Sequence, residues 1–459
     1  MDWEKLLVNK TFRTRTPLKD FDGRDHFEND YSRVISGSFI RRLQDKTQVF
    51  PLQESDFIRT RLTHSLEVSA IARSLGKSVE GELVKKGKLN PDLKGLMPSL
   101  LTTSGLIHDL GNPPFGHFGE SAIKKFFTQY FENSDNCIGW SPQQMRDFTF
   151  FDGNVQTFRI LRKLSFMGDE YSYNLTYPTL ASTIKYPRSS TTGNDKSTGN
   201  VADKKFGYFC SEEEDFKEIS RTLEIDNFRH PVVFLLEAAD DIAYSAADIE
   251  DGVKLGTLDY DIIYETFERN LQGGTDEELK VLSELRQIYG SFKDFSSDRL
   301  DLTVRKFRIC SQSQMIQSAI REFLDNHDTI LDGRYKEELI LRSPAKNIRK
   351  SFKELGNIVF KDKSVMQTEL AGWEILNGLL EIFIAAGKSP NFNGANNSVE
   401  SRIYGMISSS LRYMFENYPS IYPGSNEQYR RFQMIADFIS GMTDSYALNY
   451  FQRLKGIKI

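Results

Sequence analysis

The hydrophobic and polar positions of this chain repeat with the period of α-helices along most of its length. Apolar residues recur at three- and four-residue spacing, whereas the strict alternation of a half-buried strand is scarce. From about residue 59 to residue 82, His64, Val68, Ile71 and Leu75 follow one another in steps of four, three and four, which places them on one helix face. The pattern therefore predicts a mostly helical, all-α protein in which His64 points into a core.

Two further predicted helices carry polar side chains that a plain core would not need. A helix predicted over about residues 99–110 places Gly105 and His108 on one stripe and is stopped by Gly111, so His108 and Asp109 lie at its C-terminal end. A helix predicted over about residues 232–252 begins with an apolar run. One of its sides is nevertheless acidic, at three- and four-residue steps: Glu237, Asp240, Tyr244, Asp248 and Asp251.

The chain shows no repeat of fixed period and no sharp change of composition. We predict an N-terminal arm over residues 1–30, a core over residues 31–260 that carries the chemistry, and a helical C-terminal region over residues 261–459 packed on that core. Residues 188–205 are rich in Ser, Thr, Gly and Asn and poor in apolar side chains, which predicts a mobile loop.

Composition narrows the class of protein. The 459 residues include 59 basic and 64 acidic side chains, giving a net charge of −5, so any nucleic-acid contact would have to use a local basic patch. Three widely spaced cysteines indicate neither a disulfide framework nor a zinc motif and suit a reducing compartment. With no run of 18 apolar residues, we expect a cytoplasmic protein without a membrane partner.

The candidate chemistry lies in the ordered histidines and carboxylates. His64 on a buried face, the pair His108 and Asp109 at a helix end, and Asp240 on the acidic helix together offer two nitrogens and two oxygens. Such a set suits Mn²⁺, Fe²⁺, Zn²⁺ or Ni²⁺ and, less well, Mg²⁺, and it leaves coordination positions open for water and a phosphate oxygen. Taken singly, a buried histidine is more often a core residue, and an acidic helix face is more often solvated; the conjunction favours a metal-dependent hydrolase.

Five segments stand out in order along the chain: RRLQDKTQVFP (41–51), RTRLTHSLEV (59–68), HDLGNPPFGHFGE (108–120), EAADDIAYSAADIEDG (237–252) and DFISGMTDSYAL (437–448). Together they resemble one known family, the bacterial deoxyguanosine triphosphate triphosphohydrolases of the HD superfamily. The resemblance implies an HD-domain metallohydrolase core with a helical C-terminal extension. It also implies hydrolysis of a deoxynucleoside triphosphate, dGTP first, at the α-phosphorus, giving a deoxynucleoside and inorganic triphosphate.

The same resemblance assigns site residues. It places the metal ligands on His64, His108, Asp109 and Asp240, with the neighbouring Asp241 as a structural residue. One divalent ion per site is expected, Mn²⁺ or Mg²⁺ first, with Fe, Co, Ni and Zn as alternatives. The catalytic pair is His117 and Glu120, and the spacing of three residues lets the carboxylate fix the imidazole. His117 could protonate the leaving 5′-oxygen or act on the attacking water, and the sequence leaves both roles open.

Further positions are expected to contact the substrate. Arg61 is the first choice for a phosphate contact, since it lies three residues before His64, and the family resemblance adds Lys185 and Lys205. By resemblance, the 3′-hydroxyl is contacted by Gln48 and Asp248, and the sugar ring packs on Tyr244, where a 2′-hydroxyl would be crowded. The positions Asn112 and Asn154 also match near the site, without an assigned role.

Two other functions compete with this interpretation. An HD nucleotidase or phosphodiesterase would share the metal ligands but cleave at another position, and a non-catalytic nucleotide-binding regulator would keep the fold without turnover. The resemblance further implies a homo-oligomer, a hexamer in many members, and an effector that is single-stranded DNA or a nucleotide.

Overall fold

A computed structural model describes residues 1–16, 21–48, 52, 59–295 and 298–457, apart from the side chains of Ala246, Asp248 and Ser364. Within these residues every regular element is a helix, and the extended backbone pairs only in one isolated bridge between Thr47 and Thr60. The predicted all-α class is therefore confirmed.

The α-helices are numbered in chain order. They are α1 Trp3–Leu6, α2 His26–Ile35, α3 Ser38–Arg42, α4 Arg61–Lys85, α5 Leu96–Ile107, α6 Gly116–Glu132, α7 Pro142–Thr149, α8 Gly153–Arg159, α9 Tyr177–Ser182, α10 Glu213–Leu223, α11 Val232–Lys254, α12 Tyr260–Leu271, α13 Asp276–Ser291, α14 Arg299–Asp325, α15 His327–Leu331, α16 Leu339–Arg342, α17 Lys346–Val359, α18 Lys363–Gly387, α19 Val399–Met406, α20 Ser409–Asn417, α21 Glu427–Ser440 and α22 Asp444–Leu454. Short helical turns also occur at Leu43–Asp45, Pro91–Leu93, Ser134–Cys137, Ile160–Leu164, Val201–Asp203 and Cys210–Glu212.

Helices α4, α5 and α11 pack together at the centre, and α14 and α17 cover α11 from the C-terminal side. Thr60 begins α4 with a capping box that also uses Thr63, so the helix starts one turn before His64. Gly105 lets α5 approach α4 closely, because a Cβ there would lie 2.6 Å from the Cα of Ser69. These three helices carry the histidine and carboxylate positions singled out in the sequence.

The three predicted helices around the site are confirmed, with small shifts at their ends. Helix α5 ends at Ile107, two residues after Gly105, so His108 caps it and Asp109 lies in the turn that follows. Helix α11 continues to Lys254. The boundary expected at residue 30 falls inside α2, and Trp3, Leu6 and Phe27 are buried in the core, so the N-terminal segment packs as part of the core and not as a separate arm.

The segment predicted as a mobile loop, residues 188–205, is irregular but anchored. Ser190 is fully buried and donates to Asp147, and the amide of Val201 donates to the carbonyl of Lys336. Arg188 also forms an ion pair with Asp203. The polar side chains of this loop therefore bond to the protein body, which composition alone does not reveal, and the mobility of the loop stays a prediction.

The C-terminal region is tied to the core by a buried ion-pair network. Arg159, at the end of α8, forms ion pairs with Asp437 of α21 and with Glu212, and all three side chains are fully inaccessible to solvent. Helix α18 packs against α6, α21 and α22. Its Val365–Gly387 stretch has the length and hydropathy of a membrane span, but 56% of its most apolar window is buried inside the protein, which is the burial of a core helix. The three cysteines are free.

Candidate active site

A cavity of about 300 Å³ opens beside the central helices. It is lined by residues from the core and from the C-terminal region: Thr47, Gln48, Arg61, His64, Asp109, Asn112, Phe115, Gly116, His117, Phe118, Asn154, Lys185, Tyr186, Lys205, Asp240, Asp241, Tyr244, Phe360 and Glu369. Most of the residues that the sequence nominated therefore face one space.

The predicted metal ligands meet at this cavity. Ligand atoms of His64, His108 and Asp109 all lie within 4.8 Å of one another. Oδ1 of Asp240 lies 3.1 Å from Nε2 of His64 and 3.5 Å from Nε2 of His108. Helices α4 and α11 and the turn after α5 thus bring two imidazoles and two carboxylates to a common centre.

The local backbone fixes the orientation of His108. Its Nδ1 donates to the carbonyl of Gly105 over 2.8 Å, one turn back along α5. Because a carbonyl only accepts, the Nδ1 carries the proton and the Nε2 lone pair of the neutral ring is aimed at the cluster. That buried Nε2 has no hydrogen-bond partner among the described residues.

The two carboxylates are held by neighbouring donors. Asp109 accepts from Arg61 on one oxygen and from Asn112 on the other, and Asp240 accepts from Lys185 over 3.0 Å. Burial disfavours ionisation of Asp109, but the charge of Arg61 holds the pKa of its carboxyl below its usual range. Burial acts likewise on Asp240, yet Lys185 and the two histidines keep its pKa well below the ordinary value. Both residues are therefore anionic at neutral pH.

The cluster fits a divalent cation. Burial lowers the tendency of His108 to be charged, but Asp240 and Asp109 outweigh it and raise the pKa of the ring. Two carboxylates that favour a positive charge on this ring would also favour a divalent cation bound to its Nε2, and metal binding releases any proton held there. The unpartnered Nε2 of His108 and the anionic Asp240 are suitable ligands for a borderline divalent ion.

The neighbouring carboxylate Asp241 points to a different partner. It forms an ion pair with Arg349 of α17 over 2.8 Å, and burial raises the pKa of Asp241 to about 7. Adjacent helical residues face different directions, so only Asp240 reaches the histidines. The two neighbouring acids thus have different partners in the structure.

The pair of His117 and Glu120 lies on the first turn of α6 at the same cavity. Nδ1 of His117 is 3.4 Å from Oε2 of Glu120, and 83% of the His117 side chain is exposed, against 5% for Glu120. The hydrogen bond and charge of Glu120 raise the pKa of His117 above that of a free imidazole. Burial opposes ionisation of Glu120, but His117 and Lys205 lower the pKa of Glu120 to about 2. A buried anion therefore favours the protonated form of an imidazole that is open to a ligand.

The turn before α6 has a left-handed backbone at two successive residues. Phe115 has a φ of 61° and Gly116 a φ of 60°, and only the second is a glycine. A Cβ on Gly116 would lie 2.8 Å from Nη2 of Arg61, so this position also leaves room for the guanidinium. The turn sets the direction from which His117 enters the cavity.

Three cations line the cavity beside the acidic cluster. Arg61 and Lys185 bond to Asp109 and Asp240, and Lys205 bonds to Asp152 at the start of α8. Their charges offset those of the carboxylates and supply donors for a polyanion.

Comparison with known proteins agrees with this geometry. Residues 61–136 match the HD domain, and residues 345–453 match the phosphohydrolase-associated domain. The chain is 38% identical to a deoxyguanosinetriphosphate triphosphohydrolase-like protein of Listeria innocua serovar 6a, over 100% of both chains. It is 32% identical to a protein of the same name from Synechocystis sp., over 100% of both, and 30% identical to the deoxyguanosinetriphosphate triphosphohydrolase of Serratia proteamaculans, over 95% of both.

The chain belongs to the deoxyguanosinetriphosphate triphosphohydrolase family. It is accordingly a hydrolase built on the HD fold, a fold of metal-dependent phosphohydrolases. The HD match contains three of the four predicted ligands and the pair of His117 and Glu120, whereas Asp240 lies beyond it.

Around this triphosphohydrolase-family cavity, the predicted substrate contacts fall into two groups. Asn112 and Asn154 are held by Asp109 and Asp152, which also bond to Arg61 and Lys205 respectively. Gln48 and Tyr244 line the cavity. The buried Oε1 of Gln48 accepts no hydrogen bond from any described residue. The side chain of the remaining predicted contact, Asp248, lies outside the described residues.

Sequence reasoning missed residues that the C-terminal region adds to this family's cavity. Phe360 follows α17 and Glu369 lies on α18, yet both line the cavity. Lys46 and Asp444 lie just behind its wall and are buried. Asp444 belongs to segment 437–448, which contributes to the family resemblance but had no residue assigned to the site. Phe360 and Glu369 lie in no segment that the sequence analysis singled out.

Proposed function

We propose that this protein hydrolyses deoxynucleoside triphosphates, dGTP first, to the deoxynucleoside and inorganic triphosphate, with one divalent cation bound by His64, His108, Asp109 and Asp240. The observation that carries the proposal is the convergence of two imidazoles and two carboxylates with a separate histidine–glutamate pair at a single cavity that is also lined by Arg61, Lys185 and Lys205. The printed name of the Serratia proteamaculans relative supports the same reaction.

The metal ion would polarise a phosphoryl oxygen and lower the pKa of a bound water. Family resemblance puts Mn²⁺ or Mg²⁺ first, and Fe, Co, Ni and Zn are alternatives that two imidazoles and two carboxylates accept. The triphosphate would be bound by Arg61, Lys185 and Lys205, whose positive charges oppose the roughly four negative charges of the ligand.

In the reaction, the bond between the α-phosphorus and the 5′-oxygen breaks, and the oxygen of water is transferred to the phosphorus. The 5′-oxygen is a poor leaving group unless it receives a proton. His117 fits that role, because Glu120 raises its pKa and its side chain is open to the cavity. Action of the same residue on the attacking water is the second role that this geometry permits.

The deoxyribose and the base of the substrate are expected near Gln48 and Tyr244. The unpartnered oxygen of Gln48 would accept from the 3′-hydroxyl, together with Asp248, and Tyr244 would crowd a 2′-hydroxyl. For the base, Glu369 lines the cavity, and no described residue forms an ion pair with it. A carboxylate only accepts hydrogen bonds, so it matches the adjacent N1–H and N2–H donors of guanine better than the edge of adenine.

We further propose that the protein acts in the cytoplasm as a homo-oligomer, a hexamer by family resemblance, and that single-stranded DNA or a nucleotide acts as effector. The free cysteines agree with a reducing compartment. Molar mass by light scattering, and turnover with and without single-stranded DNA, test the assembly and the effector separately.

Product identification tests the reaction itself. Purified protein with Mn²⁺ or Mg²⁺ is incubated with each dNTP and with GTP, and the products are identified by ³¹P NMR and chromatography. We expect triphosphate and deoxyguanosine from dGTP. Release of phosphate or pyrophosphate would support the HD nucleotidase or phosphodiesterase alternative, and binding without turnover would support a regulator.

A matched pair of variants tests the metal centre. Asp240→Asn should lose bound metal and turnover together, because it weakens a ligand to the ion. Asp241→Asn, one residue further and paired with Arg349, should keep its bound metal. Equal metal content in the two variants, measured by mass spectrometry of the bound ion, would contradict the assigned ligand set.

A further inference from the structure

The junction between α21 and α22, residues 440–445, contacts the segment that leads into the catalytic cavity. The carbonyl of Gly441 accepts from Arg42 over 3.1 Å, and Ser445 donates to Asp45 over 2.8 Å. These two hydrogen bonds hold residues 42–47 against the C-terminal region. The segment continues directly into Gln48, which lines the cavity.

Lys46 extends this attachment to the metal-binding turn. Its buried ammonium donates to the carbonyl of Ser440 over 3.0 Å and to the carbonyl of Asn112. Asn112 in turn holds the carboxylate of Asp109. Burial lowers the pKa of Lys46 to about 7, and no described carboxylate pairs with it.

Asp444 makes the most informative contacts of the junction. Its Oδ2 accepts from the backbone amide of Thr47 over 3.1 Å and from the Thr47 hydroxyl over 2.6 Å. Its Oδ1 accepts from the backbone amide of Phe115 over 2.9 Å. One buried carboxylate, 2% exposed, thus joins two segments that are 68 residues apart in sequence (115 − 47).

Both segments carry groups on which the proposed reaction depends. Phe115 is the non-glycine residue with a φ of 61°, and His117 follows two residues later on the first turn of α6. A left-handed non-glycine residue persists only when its surroundings hold it there. The hydrogen bond from its amide to Asp444 is such a restraint, and it acts on the turn that directs His117.

We propose that Asp444 is a positioning residue for the hydrolysis, which holds the turn before His117 and the segment before Gln48 in one fixed arrangement. This proposal rests on the proposed function. It makes the phosphohydrolase-associated region, residues 345–453, a part of the catalytic apparatus and not only a cover for the core.

Asp444→Asn is the decisive variant. Each carboxylate oxygen accepts a backbone amide, so replacing either oxygen by NH₂ leaves one amide, of Thr47 or of Phe115, without an acceptor. We expect kcat to fall by about 10- to 100-fold, since small misplacement of reacting groups has losses of that order. Bound metal should stay at the wild-type level, because Asp444 contacts none of the four ligands.

Hydrogen exchange gives a readout that does not depend on activity. In Asp444→Asn, peptides that contain Phe115 or Thr47 should exchange faster, while those of α13 should be unchanged. Asp147→Asn is the matched control: Asp147 is also buried and accepts from a backbone amide, that of Cys210, and from two hydroxyls, those of Ser190 and Tyr429. None of these three partners lines the cavity, whereas Thr47 and Phe115 both do. The kcat of Asp147→Asn should stay within about twofold of wild type, as expected for a site without direct coupling.

Thr47 supplies a second test that leaves the carboxylate in place. Thr47→Val removes the hydroxyl donor and should lower kcat by less than Asp444→Asn, whereas Thr47→Ser keeps the donor and should restore it. If Asp444→Asn does not fold, these two Thr47 variants test whether the contact between Asp444 and Thr47 supports catalysis.

Wild-type kcat in Asp444→Asn, unchanged exchange at both peptides, or an equal loss in Asp147→Asn would overturn the proposal. If the wild-type protein releases no triphosphate, the proposed function fails, and the exchange experiment still shows whether Asp444 holds the two segments.

Discussion

Replacing Gly153 with alanine should slow hydrolysis while leaving the metal bound. Gly153 is the first residue of α8, and its amide donates to Oε1 of Glu120 over 2.8 Å. A Cβ at this position would lie 2.6 Å from Oδ1 of Asn112 and 2.9 Å from Oε1 of Glu120. One added methyl group therefore meets the residue that holds Asp109 and the residue that supports His117.

The displacement follows from these distances. Ordinary van der Waals contact begins at 3.4 Å, so Asn112 must move by about 0.8 Å (3.4 − 2.6) and Glu120 by about 0.5 Å (3.4 − 2.9). Both are ends of side chains, so the fold should tolerate the change at about 1–3 kcal/mol. Because a misplacement of about 1 Å can cost about 100-fold in rate, we expect kcat to fall by about 10- to 100-fold.

The assay compares steady-state kinetics, bound metal and thermal unfolding of Gly153→Ala with those of Gly81→Ala. Gly81 lies in α4, the helix of His64, and a Cβ there meets nothing within 4 Å. The control should therefore keep full activity and gain up to about 1 kcal/mol of stability. Wild-type kcat in Gly153→Ala would refute the argument that Asn112 and Glu120 must stay where they are.

Three further predictions follow from the site and the core. Glu120→Gln removes the charge that raises the pKa of His117, so the alkaline fall in kcat/KM should begin at lower pH; an unshifted limb would exclude the acid role. Asp437→Ala leaves the buried Arg159 without its main partner, so the free energy of unfolding measured with denaturant should fall by about 3–5 kcal/mol. A fall of less than about 1 kcal/mol would contradict this role of the ion pair. Glu369→Gln should lower the dGTP/dATP ratio of kcat/KM by about 10- to 100-fold, the value of hydrogen bonds to a charged group, and an unchanged ratio would remove it from base selection.

Several features could be read from the sequence because they depend on neighbours along the chain. Helical periodicity, the cap at Thr60 and the stop after α5 need only a few residues each, and they placed His64, His108 and Asp109 on the elements that the structure has. The pairing of His117 with Glu120 is equally local, since one helical turn joins them. Local composition could not show that residues 188–205 bond to distant partners such as Asp147 and Lys336.

The sequence by itself thus determined the helices and the family. Tertiary structure alone decided that Asp240, 176 residues from His64, reaches the histidines while Asp241 turns to Arg349. It also brought Glu369 into the cavity and Asp444 to the amide of Phe115, 329 residues away. The physical reason is that periodicity and capping are set within a few residues, whereas contacts between distant residues depend on how whole helices pack against one another.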